Sequence, residues 1–530
     1  MRSYLAVAAI VSLTPFLVAQ DASDVGPRIR AIALEPNDGP EGRPLPLFAS
    51  WNTGGKGGGY SPAWQLEQLD QGRPLLPWLA LPEPGKPLGA AEQTALAEFA
   101  KRKLPVAFLA TQWERLLTAD KRFASRPKEA NANVFDKDGK FQPKVSPFSP
   151  IEPWSEIGAL WGASPAVKRA QEIHPDPPRI FFHSNNEHTK IRWHGAEEDS
   201  RFVEKFGEGK DDAFKRKATG DGWIERYRAL QKAFRENLER EEWRNAARFV
   251  GYNAFAPESI GRWVAWDKHS LHAPGRISPW PLAWDGGAPS FYTNNWDMST
   301  DYTVFSPQVQ CMTWVPSLAD AWKHNPDFWF ELSLWDGAVA TKKDTDKRRY
   351  YADRGQKYSP ERYAGMAKFG LWMLRPRVIR EFRGYLETRD DYEAHSQAVL
   401  AAVHRIHSPP LAEFWRKGKL VPNTKTKHPM FIGLPPELEK ADRWFRLDAE
   451  GDPTGAWKLG VELDVFGLAL ELGEKPERRW LVYAHAPRRE EPKKFVLTLP
   501  GYGKVSLEVG AGGVYAIVSE NGRKVEPLER

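Results

Sequence analysis

From Leu45 to about Thr424 short apolar runs alternate with amphipathic stretches. The runs are LPLFASWN (45–52), LLPWLAL (75–81), PVAFLAT (105–111), RIFFHSN (179–185), RFVGYNAF (248–255), SFYTNNW (290–296), DFWFELSLW (327–335) and RVIREFRG (377–384). Each has the length and the aromatic and β-branched content of a buried strand. Between them apolar residues recur at three- and four-residue spacing over Ala90–Lys103, Ser155–Ile173, Trp223–Arg248, Pro307–His324, Pro360–Leu374 and Asp391–Ile406, which predicts helices. Strands that alternate with helices imply a parallel sheet, and eight such units predict a (β/α)8 barrel. The segment from Trp113 to Pro178 is rich in proline and contains DKDGKF; it reads as a large loop plus one helix at the barrel mouth.

Past Thr424 the period changes. WKLGVELDVFGLALELG, RRWLVYAHAP and KKFVLTLPGYGKVSLEVGAGGVYAIVSENG alternate polar and apolar residues between Gly, Pro and Asn-Gly turns, the pattern of a small antiparallel β-sandwich. At the other end Arg2 precedes an apolar run, Leu5 to Val18, that closes on the small Ala19, the layout of a secretory signal peptide. The expected organisation is therefore a signal peptide over 1–20, a barrel over 21–423, a Lys- and Pro-rich linker over 424–440 and a β-sandwich over 441–530. Such a chain is expected outside the cytoplasm, secreted or periplasmic, with no membrane contact once the signal is cleaved.

Composition narrows the chemistry. The chain has 530 residues and a net charge of +6, which becomes +5 when Arg2 leaves with the signal. This balance on a mixed-charge surface tolerates an anionic partner such as a sulfated or uronic-acid glycan without requiring one. Cys311 is the only cysteine, so no internal disulfide forms and stability must come from the core. No CxxC, HExxH, glycine-rich phosphate loop or Lys/Arg tract occurs, which argues against structural zinc, nucleotide and nucleic acid, and no cofactor or metal is expected.

Active groups in a barrel of this kind come from the carboxyl ends of its strands. RIFFHSNNEHTKIRW ends its fourth apolar run in Asn185, Asn186, Glu187 and His188. DFWFELSLWDG sets Glu331 in the seventh, between Trp329 and Trp335. A bare carboxylate in so aromatic a strand costs several kcal/mol unless it is paired or serves a purpose. Two carboxylates facing one cleft suit glycoside hydrolysis, which needs a proton donor and a second carboxylate about 5 to 5.5 Å away if configuration is retained. Each residue also has a plainer reading. Asn186-Glu187 resembles an ordinary loop cap, Glu331 would equally pair with a buried Arg380 or Arg383, and His183 and His188 would serve a metal-dependent hydrolase. Among 23 Trp residues, Trp51, Trp193, Trp296 and Trp335 stand near strand ends, where an indole can stack on a sugar ring; Asn52 follows Trp51 at the start of a glycine-rich loop.

At Asn186-Glu187 and Glu331 the sequence resembles clan A of the retaining (β/α)8 glycoside hydrolases, with two strand–helix units fitted between the motifs. The resemblance implies that Glu187 is the acid/base, that Glu331 is the nucleophile and that Asn186 bonds the sugar 2-hydroxyl. It also implies a tyrosine near the nucleophile, for which Tyr292 is the candidate. The arginine often found on strand two of the clan has no counterpart in LLPWLALPEPG. The expected function is a secreted retaining glycoside hydrolase acting on a polysaccharide or oligosaccharide, with His188, Trp51, Asn52, Trp193, Trp296 and Trp335 as further substrate contacts. The alternatives are a non-catalytic carbohydrate-binding barrel and the metal-dependent hydrolase.

Overall fold

The computed structural model describes residues 25–53, 60–110, 113–184, 191–252, 280–292, 314–315, 318–319, 321–335, 359–382, 389–423, 445–452 and 463–529. Within them the apolar runs form β1 (Leu47–Ser50), β2 (Trp78–Ala80), β3 (Val106–Ala110), β6 (Ile180–Ser184), β7 (Ala247–Tyr252), β8 and β9 (Gly286–Ala288 and Ser290–Tyr292), β10 (Trp329–Trp335) and β11 (Val378–Glu381). All pair in parallel, in the order β1-β11-β10-β8-β7-β6-β3-β2, with β9 beside β10. The ring closes between the first and second strands through a parallel bridge from Phe48 to Leu75. There Phe48 N–H donates to the Pro74 carbonyl and Leu76 N–H to that of Phe48, both at 2.9 Å. The fold is a (β/α)8 barrel followed by a β-sandwich.

The two faces of each strand have different partners, as the period-two geometry of a strand requires. Phe182 and Phe249 point outward onto Phe234 of the helix Asp212–Glu236 (ring centroids 4.6 and 5.2 Å). Phe181 points inward and meets Trp329 at 4.3 Å. Because β6 and β10 are not neighbours in the ring, that contact crosses the barrel interior. Below it Arg377 lies 4.8 Å from the Trp329 ring and donates to the Ile32 carbonyl, so the helix Gly26–Leu34 plugs the amino-terminal end.

Several elements differ from the sequence expectation. The sixth strand begins earlier, at Gly286, and Pro289, which has no N–H to give the ladder, divides it into β8 and β9. The helix expected over Ser155–Ile173 is two, Glu152–Gly162 and Pro165–Ile173; Ser164 Oγ caps the second at Val167 N–H and Pro165 opens it. The helix expected from Trp223 starts at Asp212, capped by Asp211 (Phe214 N–H to Oδ1, 2.7 Å), and ends at Glu236; a separate helix covers Glu241–Ala246. The region from Trp113 to Pro178 is more ordered than a loop with one helix. It also holds short helices at Arg115–Ala119 and Lys121–Ala124 and a hairpin of β4 (Asn133–Phe135) and β5 (Phe141–Val145). The described residues within the expected helix Pro307–His324 are helical.

The carboxyl-terminal strands form two antiparallel sheets: β12 (Lys419–Leu420), β14 (Phe466–Leu472), β15 (Arg479–His485), β18 (Val514–Ser519) and β19 (Lys524–Glu529) against β13 (Asp448–Ala449), β16 (Lys493–Leu499) and β17 (Gly503–Val509). Alternation along β15 serves two cores. Trp480, Val482 and Ala484 fill the space between the sheets, while Leu481 and Tyr483 face the barrel. There the helix Pro360–Leu374 lies between the two domains. A Cβ on its Gly365 would fall 2.0 Å from the Ala511 carbonyl oxygen, and one on Gly370 would fall 2.7 Å from Leu332 and Phe291. Hydrogen bonds fix the contact: Trp372 Nε1 donates to Tyr515 Oη (2.6 Å) and Tyr483 Oη to the Gly365 carbonyl (2.7 Å). No described helix is long and apolar enough to cross a membrane.

Candidate functional site

FELSLW places Glu331 and Ser333 on one side of β10 and Leu332 and Leu334 on the other. Glu331 points into the barrel and is fully buried. A carboxylate there must be paired, and Arg380 of β11 pairs it: Nε donates to Oε2 at 2.6 Å and Nη2 to Oε1 at 3.2 Å. Trp329 Nε1 donates to Oε1 at 2.9 Å, and His183 Nε2 of β6 lies 3.1 Å from the same oxygen. Arg380 spends its remaining donors on the Ser50 carbonyl (Nη1, 3.0 Å) and faces His183 Nε2 at 3.3 Å. Strands one, four, seven and eight thus converge on one ion pair.

The electrostatics follow from burial and from that pairing. Burial alone would push the Glu331 carboxyl up; the Arg380 charge and then His183 outweigh it and hold the group well below the usual carboxylate range. Burial pushes the His183 imidazole down, further than Glu331 raises it, so the ring is neutral. Glu331 is therefore ionised at neutral pH and in mild acid. Its two oxygens are not equivalent: Oε1 faces three nitrogens, and Oε2 receives a hydrogen bond from Arg380 Nε.

One residue-pair step toward the carboxyl end the walls change character. Trp51, half-buried just after β1, donates from Nε1 to Ser333 Oγ (3.0 Å) and lies over the Arg380 guanidinium at 5.2 Å. Its ring meets His183 and Tyr252 edge-to-face, each at 5.5 Å. Tyr252, the last residue of β7, shares a 2.6 Å hydrogen bond with Ser290 Oγ. Trp335, the last residue of β10, packs on Phe382 at 5.4 Å. Trp51, Tyr252, Trp335 and Phe382 form an aromatic cluster distinct from the main core, at the mouth and above the ion pair.

The structure brings Trp51, Trp335 and Glu331 to this end of the barrel. Asn52 joins them through its backbone, which accepts from Trp78 Nε1 (2.7 Å). Tyr292 is paired in register with Trp335 across β9 and β10. Trp193 sits on the short helix Trp193–Glu198, only 6% exposed, with the Arg216 guanidinium 3.9 Å from its ring. Asn186, Glu187, His188 and Trp296 lie outside the described residues. Glu187 follows the end of β6 by three positions and His183 by four. The guanidinium at Glu331 comes from strand eight. Sequence reading named Arg380 only as an alternative partner and His183 only as a metal ligand, and it did not single out Ser333, Tyr252, Ser290 or Phe382. Two signals could have found them: Glu331 and Ser333 alternate as polar residues in an otherwise apolar strand, and Arg380 interrupts an apolar run on the next. Among the described residues no group of three His, Cys, Asp or Glu is placed to hold a metal.

No family model matches the chain, and no curated protein matches it. Among solved structures, α-L-fucosidase isoenzyme 2 from Paenibacillus thiaminolyticus aligns with 72% of this chain and 51% of its own, at 10% identity and a TM-score of 0.34. The chain thus spans about half the length of that enzyme, and a likeness of this size carries no argument about function.

Proposed function

We propose that the chain is an exported glycoside hydrolase that cleaves a polysaccharide or oligosaccharide at the carboxyl-end mouth of its barrel by retaining double displacement. The observation that supports this most is the contact between Glu331 and His183: an ionised carboxylate of strand seven lies against strand four, and Glu187 follows His183 by four residues on that strand's outgoing chain. Glu187 protonates the leaving oxygen as Glu331 attacks the anomeric carbon, giving a glycosyl ester; Glu187, now ionised, takes a proton from the water that breaks it. Oε2 is the attacking oxygen in this scheme, since Oε1 is surrounded by donors. Asn186 holds the 2-hydroxyl, and the half-buried Trp51 offers aromatic surface to the sugar, with the buried Trp335 backing the aromatic cluster beside it.

The enclosure of Glu331 favours a second reading, in which the carboxylate is a strut of the barrel and glycan is bound above it without this group. A screen of neutral, uronic and sulfated polysaccharides for released reducing ends, followed by Glu187→Ala and Glu331→Ala with an activated aryl glycoside of the active sugar, separates the two. Retaining catalysis requires azide to restore turnover of Glu187→Ala with a retained product and of Glu331→Ala with an inverted one. A folded Glu331→Ala protein with wild-type turnover supports the strut.

A further inference from the structure

We propose that His183 is a positioning residue for Glu331, acting as a neutral imidazole whose Nε2–H donates to Oε1. This rests on the hydrolase reading above for its kinetic consequence but not for its chemistry. His183 Nε2 faces an acceptor, Glu331 Oε1 at 3.1 Å, and a donor, Arg380 Nη2 at 3.3 Å. One ring nitrogen cannot both donate and accept. With the proton on Nε2 the shorter contact is a hydrogen bond to a carboxylate, and Nδ1, which forms no hydrogen bond of good geometry, keeps its lone pair. With the proton on Nδ1, that N–H would reach only the Phe181 carbonyl, without good hydrogen-bond geometry, and a lone pair would face the carboxylate at 3.1 Å, which is the costlier arrangement.

The position gives the bond a purpose. Glu331 Oε2 and Oε1 are drawn toward strand eight by Arg380, and Trp329 holds Oε1 from its own strand. His183 is the partner from strand four, on the opposite side of the interior, so it ties the carboxylate to the strand whose sequence runs on to Glu187. Above it the Trp51 ring closes edge-to-face on the imidazole, which limits ring rotation. Loss of the donor leaves Glu331 charged and still held by Arg380 and Trp329, but without its tie to strand four. The effect belongs in kcat, because the misaligned group is the one that attacks, whereas the sugar is held by residues at the mouth.

The test uses the full chain with 15N-labelled histidine. Two-bond proton–nitrogen correlations, with the His183 signal assigned by its loss in His183→Gln, should show a neutral ring protonated at Nε2 from pH 5 to 9. An Nδ1–H tautomer or an imidazolium at pH 7 overturns the proposal whether or not any glycoside is turned over. On the active sugar, His183→Leu should lower kcat by about ten- to a hundredfold with KM within about threefold, and His183→Gln, whose amide can still donate, should recover most of that loss. Equal kcat in the Leu and wild-type proteins, or a loss in KM alone, overturns it. An inactive wild-type chain with the Nε2–H tautomer in place would instead refute the hydrolase reading.

Discussion

Arg380 holds Glu331 with two hydrogen bonds, of 2.6 and 3.2 Å, in a place where neither residue is exposed to solvent. Two charges taken that far from water are stable only together, and each is costly once the other is gone. Arg380→Met should therefore destabilise the fold by about 3 to 5 kcal/mol, since it strands a buried carboxylate. Glu331→Met should do the same to the guanidinium. The double variant should be clearly more stable than either single one, which urea unfolding monitored by circular dichroism would show as a positive coupling. Additive losses would mean that the pair is not the source of the effect.

Acid should weaken the protein in two overlapping windows. Burial pushes His407 down from 6.5 to about 3, partly offset by its bond to the Pro46 carbonyl, and pushes His485 down to about 3 as well. The unfolded chain takes up these protons near 6.5 and the fold only near 3, so stability is full above 6.5 and is lost as pH falls through that interval. Glu331 has a depressed value and contributes in the same direction: its share is present above about 4.5, the ordinary value, and is lost as pH falls below it. Between pH 4 and 6 the unfolding free energy should fall with acid, and His485→Gln should reduce that slope by one proton, about 1.4 kcal/mol per pH unit. A slope unchanged in the variant would show that His485 is not among the groups responsible.

The helix Pro360–Leu374 makes the two domains one folding problem. Replacing a mid-helix glycine by alanine normally stabilises a helix, by about 1 kcal/mol. At Gly365 the new methyl group would meet the Ala511 carbonyl oxygen at 2.0 Å, so the sign should reverse to a loss of about 1 to 3 kcal/mol. Deleting the sandwich uncovers Phe369 and Trp372, which are buried in the whole chain, and the shortened protein should be insoluble. A soluble, active barrel from residue 25 to 423 would contradict this.

Eight strands and most helices were legible because each carries its own local signal: an apolar run of strand length, or apolar positions at helical spacing. What the sequence concealed has particular causes. Gly286 and Gly287 pair in the sheet without the β-branched residues that mark a strand, so β8 was overlooked. Asp212–Glu236 carries the turn-like run Thr219-Gly220-Asp221-Gly222 ahead of Trp223, which hides the helical residues before it although the Asp211 cap marks the true start. In the site, Glu331 stood out as a charge in an apolar strand, but its depth did not. Depth depends on how far along β10 the residue sits, and two more inward residues, Ser333 and Trp335, follow it before the strand ends. The partnership of His183 with Glu331 joins strands four and seven across the barrel, a distance in sequence that no local pattern reports.

Trp51 offers the final test, because it joins the ion pair to the mouth. Its indole N–H is bonded to Ser333 Oγ, its ring lies over Arg380, and its exposed part faces the mouth. Trp51→Phe keeps an aromatic ring near the guanidinium but loses the N–H and part of the ring area, so stability should fall by about 1 to 2 kcal/mol, one hydrogen bond plus some packing. Trp51→Ala removes the cover as well, at a cost of about 3 to 5 kcal/mol, and admits water to Glu331 and Arg380. On the proposed hydrolase reading, binding of the sugar should follow the same ranking, with KM little changed in the Phe variant and raised at least about tenfold in the Ala variant, as the loss of a stacking face predicts. Isothermal titration with an inactive Glu187→Gln background measures this without turnover. If sugar affinity is the same in Trp51→Ala as in the parent while stability falls, Trp51 is a lid over the ion pair and the sugar ring stacks elsewhere.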